Sequence, residues 1–413
     1  MDYQKAANCF AEWDRLIKKD NGVLWGHNLQ VPVVLVDRKT RQAAANEPDL
    51  EGLFSLQGDV YGGILPRQVP IAATAAEFGG KLWAMVPWEM IEARLENNMF
   101  LGIMAHEAFH CLQHKLFGTI DDSKIDISHI DDDAARISFL LELNAMKRVL
   151  ESESDIANSI AVAIITRNSR NKQYGKKADE DVSALVEGTA VYTELMLTSD
   201  SLQAVYDKAN KYAANAMDMD MVSPFYGYAL GLYYCLVLDK VCPDWKKGLS
   251  NESSLGDILA GCKLVTDKWT NQDSLPGLDE FNLALYDYDA IVESVKNRGA
   301  KRDEMYRMYQ DMFSKQKVLC VSSSGKTTIA GNVFPVPNLG KVLKGNSEHI
   351  GDFGSLKVTN GLLVKNYDTG QCLFLAGEFS TEGNNIQGLD WLVELNEGFV
   401  VVDRVDYFEV VKL

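Results

Sequence analysis

The run LGIMAHEAFHCLQH, residues 101–114, constrains this chain most, because it is apolar on nearly every helical face yet carries ionisable side chains. Leu101, Ile103, Met104, Ala105, Ala108, Phe109 and Leu112 build a helix that must be buried. Two imidazoles and a carboxylate inside it are costly unless an ion or a hydrogen-bond network satisfies them. His106 and His110 are four residues apart. On a helix, that spacing gives about 40° in azimuth and about 6 Å in rise, so both rings can reach one ion. Neutral imidazole suits zinc, and Glu107, one step round the helix, is placed to take a proton from a zinc-bound water. The pattern is HExxH. The competing reading is a buried helix whose histidines bond backbone carbonyls, and the apolar surroundings weigh against it.

A catalytic zinc usually has three protein ligands and one open position. The third histidine of the metzincin spacing is missing, since Leu116 stands in its place, and His114 is too far along a straight helix. His114 therefore reads as a supporting or surface residue. Glu187, in ALVEGTAVYTE, is an acid within an apolar helical segment and is the expected third ligand. Glu142, in FLLELNAMK, is its rival, and is placed more readily behind the ligands with Arg136. On sequence grounds the choice between them stays open.

A chain of 413 residues suggests two or three domains. Residues 1–90 mix strand-like runs such as VPVVLV (31–36) and KLWAMVPW (81–88) with Gly and Pro punctuation. Residues 91–316 read as helical, with one buried helix over 91–116 and amphipathic stretches over 289–298 and 302–314. Residues 317–413 are short β-rich runs, the pattern of a small antiparallel sandwich or barrel. The expected fold class is α+β, with an α/β N-terminal part, a mainly helical middle and an all-β C-terminal domain.

A net charge of −17 argues against nucleic acid and anionic membranes as partners. No apolar run approaches the roughly 18 residues that would span a bilayer. The seven cysteines are scattered without a CxxC pair, and the start MDYQKAANCFAEW carries no leader pattern, so reduced thiols and a cytoplasmic location are expected. Two further features carry no chemistry. SSSGKTT (322–328) lacks the first glycine of a P-loop and reads as a turn, and Asp131–Asp133 are expected to cap the helix that follows.

HExxH followed at a distance by a helical glutamate resembles the gluzincin arrangement of thermolysin-like zinc metallopeptidases. The wider run is similar to a group of uncharacterised bacterial proteins with peptidase-type sites, through LWG (24–26), VDRKTRQAAAN (36–46), KLWAMV, HEAFHCLQ, SHID (128–131), LLELNAM and EGTAVY. The resemblance covers roughly the first 240 residues. It implies a zincin-like catalytic domain, His106, His110 and Glu187 as zinc ligands, and Glu107 as general base. It also implies an edge strand before the motif helix, in the position of LWAMV (82–86), that pairs with substrate backbone, while an ordinary core strand there is an equal reading of the residues. A Tyr or His donor to the oxyanion is common in the family, and Tyr226 and Tyr228 lie where one is expected. One departure stands out: four residues after Glu187 the family carries an Asp that supports a ligand histidine, and here the residue is Val191.

The expected function is zinc-dependent hydrolysis of peptide bonds, with a peptide or protein as substrate. The alternatives are a non-catalytic binding or scaffolding protein that keeps a zincin fold, and a hydrolase of a non-peptide amide or ester. The C-terminal β domain is a candidate for binding a partner or substrate.

Overall fold

The computed structural model describes residues 1–121, 124–268, 275–366 and 372–413. The chain is α+β and divides into two compact units, Met1–Lys296 and Asn297–Leu413. The N-terminal and helical parts thus belong to one unit. The division falls inside the helix Tyr288–Ser314, which runs unbroken where the sequence suggested two stretches.

The first unit holds six strands: β1 (Val33–Val36), β2 (Gln42–Ala45), β3 (Phe54–Gln57), β4 (Val60–Ile64), β5 (Thr74–Phe78) and β6 (Lys81–Pro87). They form one sheet in the order β3-β4-β2-β1-β6-β5, with β1 and β6 parallel and the other neighbours antiparallel. Burial on both faces explains the continuous apolar runs. In β1, Val33 and Leu35 enter the core shared with the helices, while Val34 and Val36 enter a second core with Phe54, Phe78 and Trp83. Of the two readings for 82–86, the core strand holds and the edge strand is corrected. β6 lies inside the sheet, and the edge is β5, folded back on it through Gly79 and Gly80, whose positive φ values of 57° and 72° make the tight reversal.

The helices of this unit are α1 (Tyr3–Asp20), α2 (Trp88–Glu92), α3 (Phe100–Phe117), α4 (Asp133–Glu151), α5 (Ile156–Tyr174), α6 (Lys177–Ser183), α7 (Thr189–Thr198), α8 (Leu202–Asp218) and α9 (Leu232–Val241), then two short ones. The single helix expected over 91–116 is broken. Asn97 and Asn98 take left-handed conformations, which end the first piece and let α3 begin at Phe100. α3 packs on β5 and β6 on one side and on α7 on the other. Asp131 does not cap α4. Its carboxylate accepts from the backbone N–H groups of Val222 and Ser223 at 2.6 and 3.3 Å, pinning the turn ahead of Tyr226. None of the described helices is long and apolar enough to cross a membrane.

In the second unit ten strands join in one hydrogen-bonded sheet. It is antiparallel except where Tyr407–Lys412 runs parallel to Val318–Ser322. Leu319, Val321, Leu356, Leu363, Leu375 and Trp391 are in its core. Lys326–Val336, Gly340–Gly351 and Gly354–Lys365 pair with one another as extended hairpins within it. SSSGKTT supplies the turn and the first residues of one of these strands. Two of the short β-rich runs of the sequence, GLLVKNY (361–367) and QCLFLAG (371–377), reach into 367–371, outside the described residues.

Candidate metal centre

α3 aims His106 and His110 from one face, and their rings meet edge to face at 4.8 Å between centroids. Glu187 approaches from a π-helical turn, Ala184–Gly188, between α6 and α7. Its Oε2 lies 3.3 Å from His106 Nε2 and 3.8 Å from His110 Nε2. The three ligand-type atoms fall within 4.8 Å of one another, and among the described residues no other set of histidine, cysteine and carboxylate atoms does so.

The other ring nitrogens fix what these atoms offer. Gln113 donates its amide to Val186 O at 2.7 Å and to Thr189 Oγ1 at 2.9 Å, so its oxygen is left to accept from His110 Nδ1 at 2.9 Å. His110 Nε2 is then the unprotonated nitrogen. On the other ring, His106 Nδ1 faces Glu194 Oε2 at 3.4 Å. Gly102, one turn before His106, makes room for that carboxylate, since a Cβ there would stand 3.0 Å from Glu194 Oε1. Nitrogen lone pairs and a carboxylate oxygen converging in this way repel one another unless a cation or proton lies among them. Glu187 Oε2 is itself buried without a hydrogen bond.

Charge in the site follows the same logic. Burial opposes protonation of His106, but contacts with Glu187 and Glu194 outweigh it and hold its pKa up at about 10. Burial raises Glu107 to about 7; the His106 charge opposes this, while Glu187 and Glu194 add to it. Burial also pushes the Tyr228 hydroxyl upward, with Glu187 adding to the shift, so the phenol stays protonated and able to donate. Tyr228 sits on a second π-helical turn, Gly227–Gly231, and stacks on His106 at 5.6 Å with 3° between the planes.

The two π turns cross at backbone contact. A Cβ on Gly188 would lie 2.4 Å from Gly231 Cα, and one on Gly231 would lie 2.5 Å from Ala184 O. Only glycine fits at either place, and the crossing sets Glu187 beside Tyr228. π turns of this kind concentrate at functional sites because they re-aim side chains and free carbonyls. Here the carbonyl of Val186 receives the Gln113 amide.

The structure thus brings together His106, Glu107, His110, Glu187 and Tyr228. Tyr226 it places elsewhere. That ring is buried, and its hydroxyl donates to Glu180 Oε2 at 2.9 Å inside a charge network. Tyr226 and Tyr228 are two residues apart on a helical path, so they diverge to opposite sides. Glu142 belongs to the same network, paired with Arg170 Nη2 at 2.7 Å and bonded by Tyr234. Its partner is not Arg136, whose guanidinium donates to backbone oxygens including Ala216 O at 3.0 Å. His114 is exposed on the rim. Sequence reasoning missed Gln113 and Glu194. Gln113 lies three residues past His110 on the same face, which was a readable signal. Glu194 lies seven past Glu187, two turns on, where attention to the fourth position found only Val191.

No family model, no curated protein and no solved structure matches this chain.

A cavity of about 230 Å³ opens over the cluster, walled by Thr74 and Ala75 of β5, by Glu107 and His110, and by Glu187 and Tyr228. A second, of about 420 Å³, also touches Val186, Glu187 and Tyr228 and is lined further by Asp126, Ser128, Ser183 and Ser223.

Proposed function

We propose that this chain is a zinc-dependent hydrolase of peptide bonds with a zincin-like catalytic unit and a gluzincin-type ligand set. The carrying observation is the convergence of His106 Nε2, His110 Nε2 and Glu187 Oε2 within 4.8 Å, with Glu187 Oε2 buried and without a hydrogen bond. Two imidazole nitrogens and one carboxylate oxygen are a donor set that suits zinc and leaves a position for water. The supporting fold features are the motif helix on a mixed sheet, the antiparallel edge strand β5 at the cavity, and the glutamate presented by the helical segment packed against α3.

Bound there, zinc would polarise a carbonyl and lower the pKa of water. The chain's own residues do the rest. Gln113 and Glu194 hold the two imidazoles with their Nδ1 atoms turned away from the centre, so Nε2 is the ligand atom on each ring. Glu107 lies in the cavity wall, where its carboxylate accepts the proton of the attacking water and returns it to the leaving amine. The Tyr228 phenol, protonated and adjacent, donates to the developing oxyanion. The outer side of β5 offers main-chain groups to an extended substrate.

The test is a peptide-pool digest by zinc-loaded and by chelated protein, read by mass spectrometry. Cleavage that appears with zinc and disappears with the chelator is expected. One equivalent of bound zinc with no cleavage of any peptide would favour a non-catalytic binding role.

A further inference from the structure

We infer that His129 and Asp131 are positioning residues for the centre: from one short turn they hold the entrances of both π turns, and so keep Glu187 and Tyr228 at the ligand cluster. This rests on the hydrolase reading above and concerns how that same centre is kept in shape.

Ser128–Asp131 is a single turn of 3-10 helix ahead of α4, and it supplies none of the three converging ligand-type atoms. With three residues per turn, side chains two apart diverge by about 120°. His129 and Asp131 therefore reach different parts of the chain. His129 Nε2 bonds Glu180 Oε1 at 2.8 Å, on α6, seven residues before Glu187. Asp131 accepts from Val222 N at 2.6 Å, from Ser223 N at 3.3 Å and from Ser223 Oγ at 2.5 Å, and Ser223 stands five residues before Tyr228.

Glu180 closes the circuit. Burial works against its charge, but bonds from Arg170, His129 and Tyr226 outweigh it and hold its pKa down to about 2. An ionised carboxylate only accepts, so His129 Nε2 is the protonated nitrogen. Tyr226 OH donates to Glu180 Oε2 at 2.9 Å, and Tyr226 leads directly into the second π turn. The ring of ties thus runs from His129 through Glu180, Tyr226, Ser223 and Asp131 and back along the chain. His129 and Glu180 are buried, where water does not replace a lost bond. The two entrances also touch directly, since a Cβ on Gly227 would collide with Ser183 O.

The π turns are what make such a ring necessary. Each holds one residue more than the α turn that could replace it. Relaxing one to an α turn shifts the register by a residue and rotates one end against the other by about 100°. The far ends are fixed by the Gly188–Gly231 crossing and by the packing of α7 on α3. The near ends are fixed by the ties through His129 and Asp131. With those cut, the near ends are free to turn, and Glu187 and Tyr228 leave the cluster.

The experiment uses the full-length protein loaded with cobalt(II) in place of zinc, read by chelator competition, visible d–d absorption and thermal melting. Cobalt absorption follows the number and geometry of the ligands. His129→Leu and Asp131→Ala each cut one tie. Each is expected to lower cobalt affinity about 10–100-fold and to change the absorption of the bound ion. His129→Gln and Asp131→Asn keep a donor and an acceptor, and are expected to return both readouts toward wild type. Ile291→Ala empties a buried position of the same unit outside the ring. It is expected to lower the melting temperature and to leave affinity and absorption as in wild type. If His129→Leu does not fold, His129→Asn cuts the same tie with a short polar side chain. Variants that melt lower yet bind cobalt with wild-type affinity and absorption overturn the inference and leave the hydrolase reading intact. So does an effect from only one of the two residues, or an equal effect from Ile291→Ala. A wild-type protein that binds no cobalt overturns both.

Discussion

Glu107 is buried against His106, Glu187 and Glu194, and it is the one acid of the cavity wall not turned toward another role. Glu107→Gln keeps the shape and removes the proton acceptor. Zinc content is expected to stay at wild-type level while kcat falls roughly 10²–10⁴-fold, the usual worth of a positioned general base. Retained turnover in a steady-state assay would reject its role. Glu194 acts one step back, through His106 Nδ1 at 3.4 Å. Glu194→Gln takes away the negative charge that orients and enriches that imidazole, so zinc affinity measured by chelator competition is expected to drop about 10–100-fold. An unchanged affinity would mean that the contact is incidental.

At the scale of elements, the site depends on two π turns that cross without side chains between them. Gly231→Ala would place a Cβ 2.5 Å from Ala184 O and 2.7 Å from Gly188 Cα, and backbone atoms have nowhere to yield. The expected cost is about 1–3 kcal/mol in urea unfolding, as for overpacked cores, together with weaker zinc binding as Glu187 shifts. Full stability with normal affinity would show that the crossing does not position Glu187. This crossing was invisible in the sequence, because a π turn differs from an α turn by one residue and leaves the apolar pattern almost unchanged. The motif helix was legible for the opposite reason: four-residue spacing of His106 and His110 inside an apolar run has few physical solutions. Glu187 was legible as an acid in apolar company. Tyr226 and Glu142 looked similar, but they are satisfied by Arg170, Glu180 and Tyr234, partners that are distant in sequence. The resemblance pointed to 82–86 as the edge because that run stands just before the motif helix, and β5, with its two alanines, carries a weak strand signal of its own.

The whole molecule consists of two units with separate apolar cores, and only Met1–Lys296 carries the candidate centre. A ligand that binds the folded state stabilises the unit that holds it by RT ln(1 + [L]/Kd), about 2.7 kcal/mol at a hundredfold excess over Kd. Scanning calorimetry is therefore expected to show a transition that moves down by several degrees on chelation and returns with zinc. The unfolding of the β-rich unit should be indifferent to metal. Chelation that shifts both transitions together, or neither, would contradict the assignment of the centre to the first unit.

The most direct measurement is an anomalous difference map from crystals of the zinc-loaded protein, recorded on both sides of the zinc absorption edge. One peak is expected, within bonding distance of His106 Nε2, His110 Nε2 and a Glu187 oxygen. A map with no peak there, or with the metal held by Glu142 or at another place, would contradict the account.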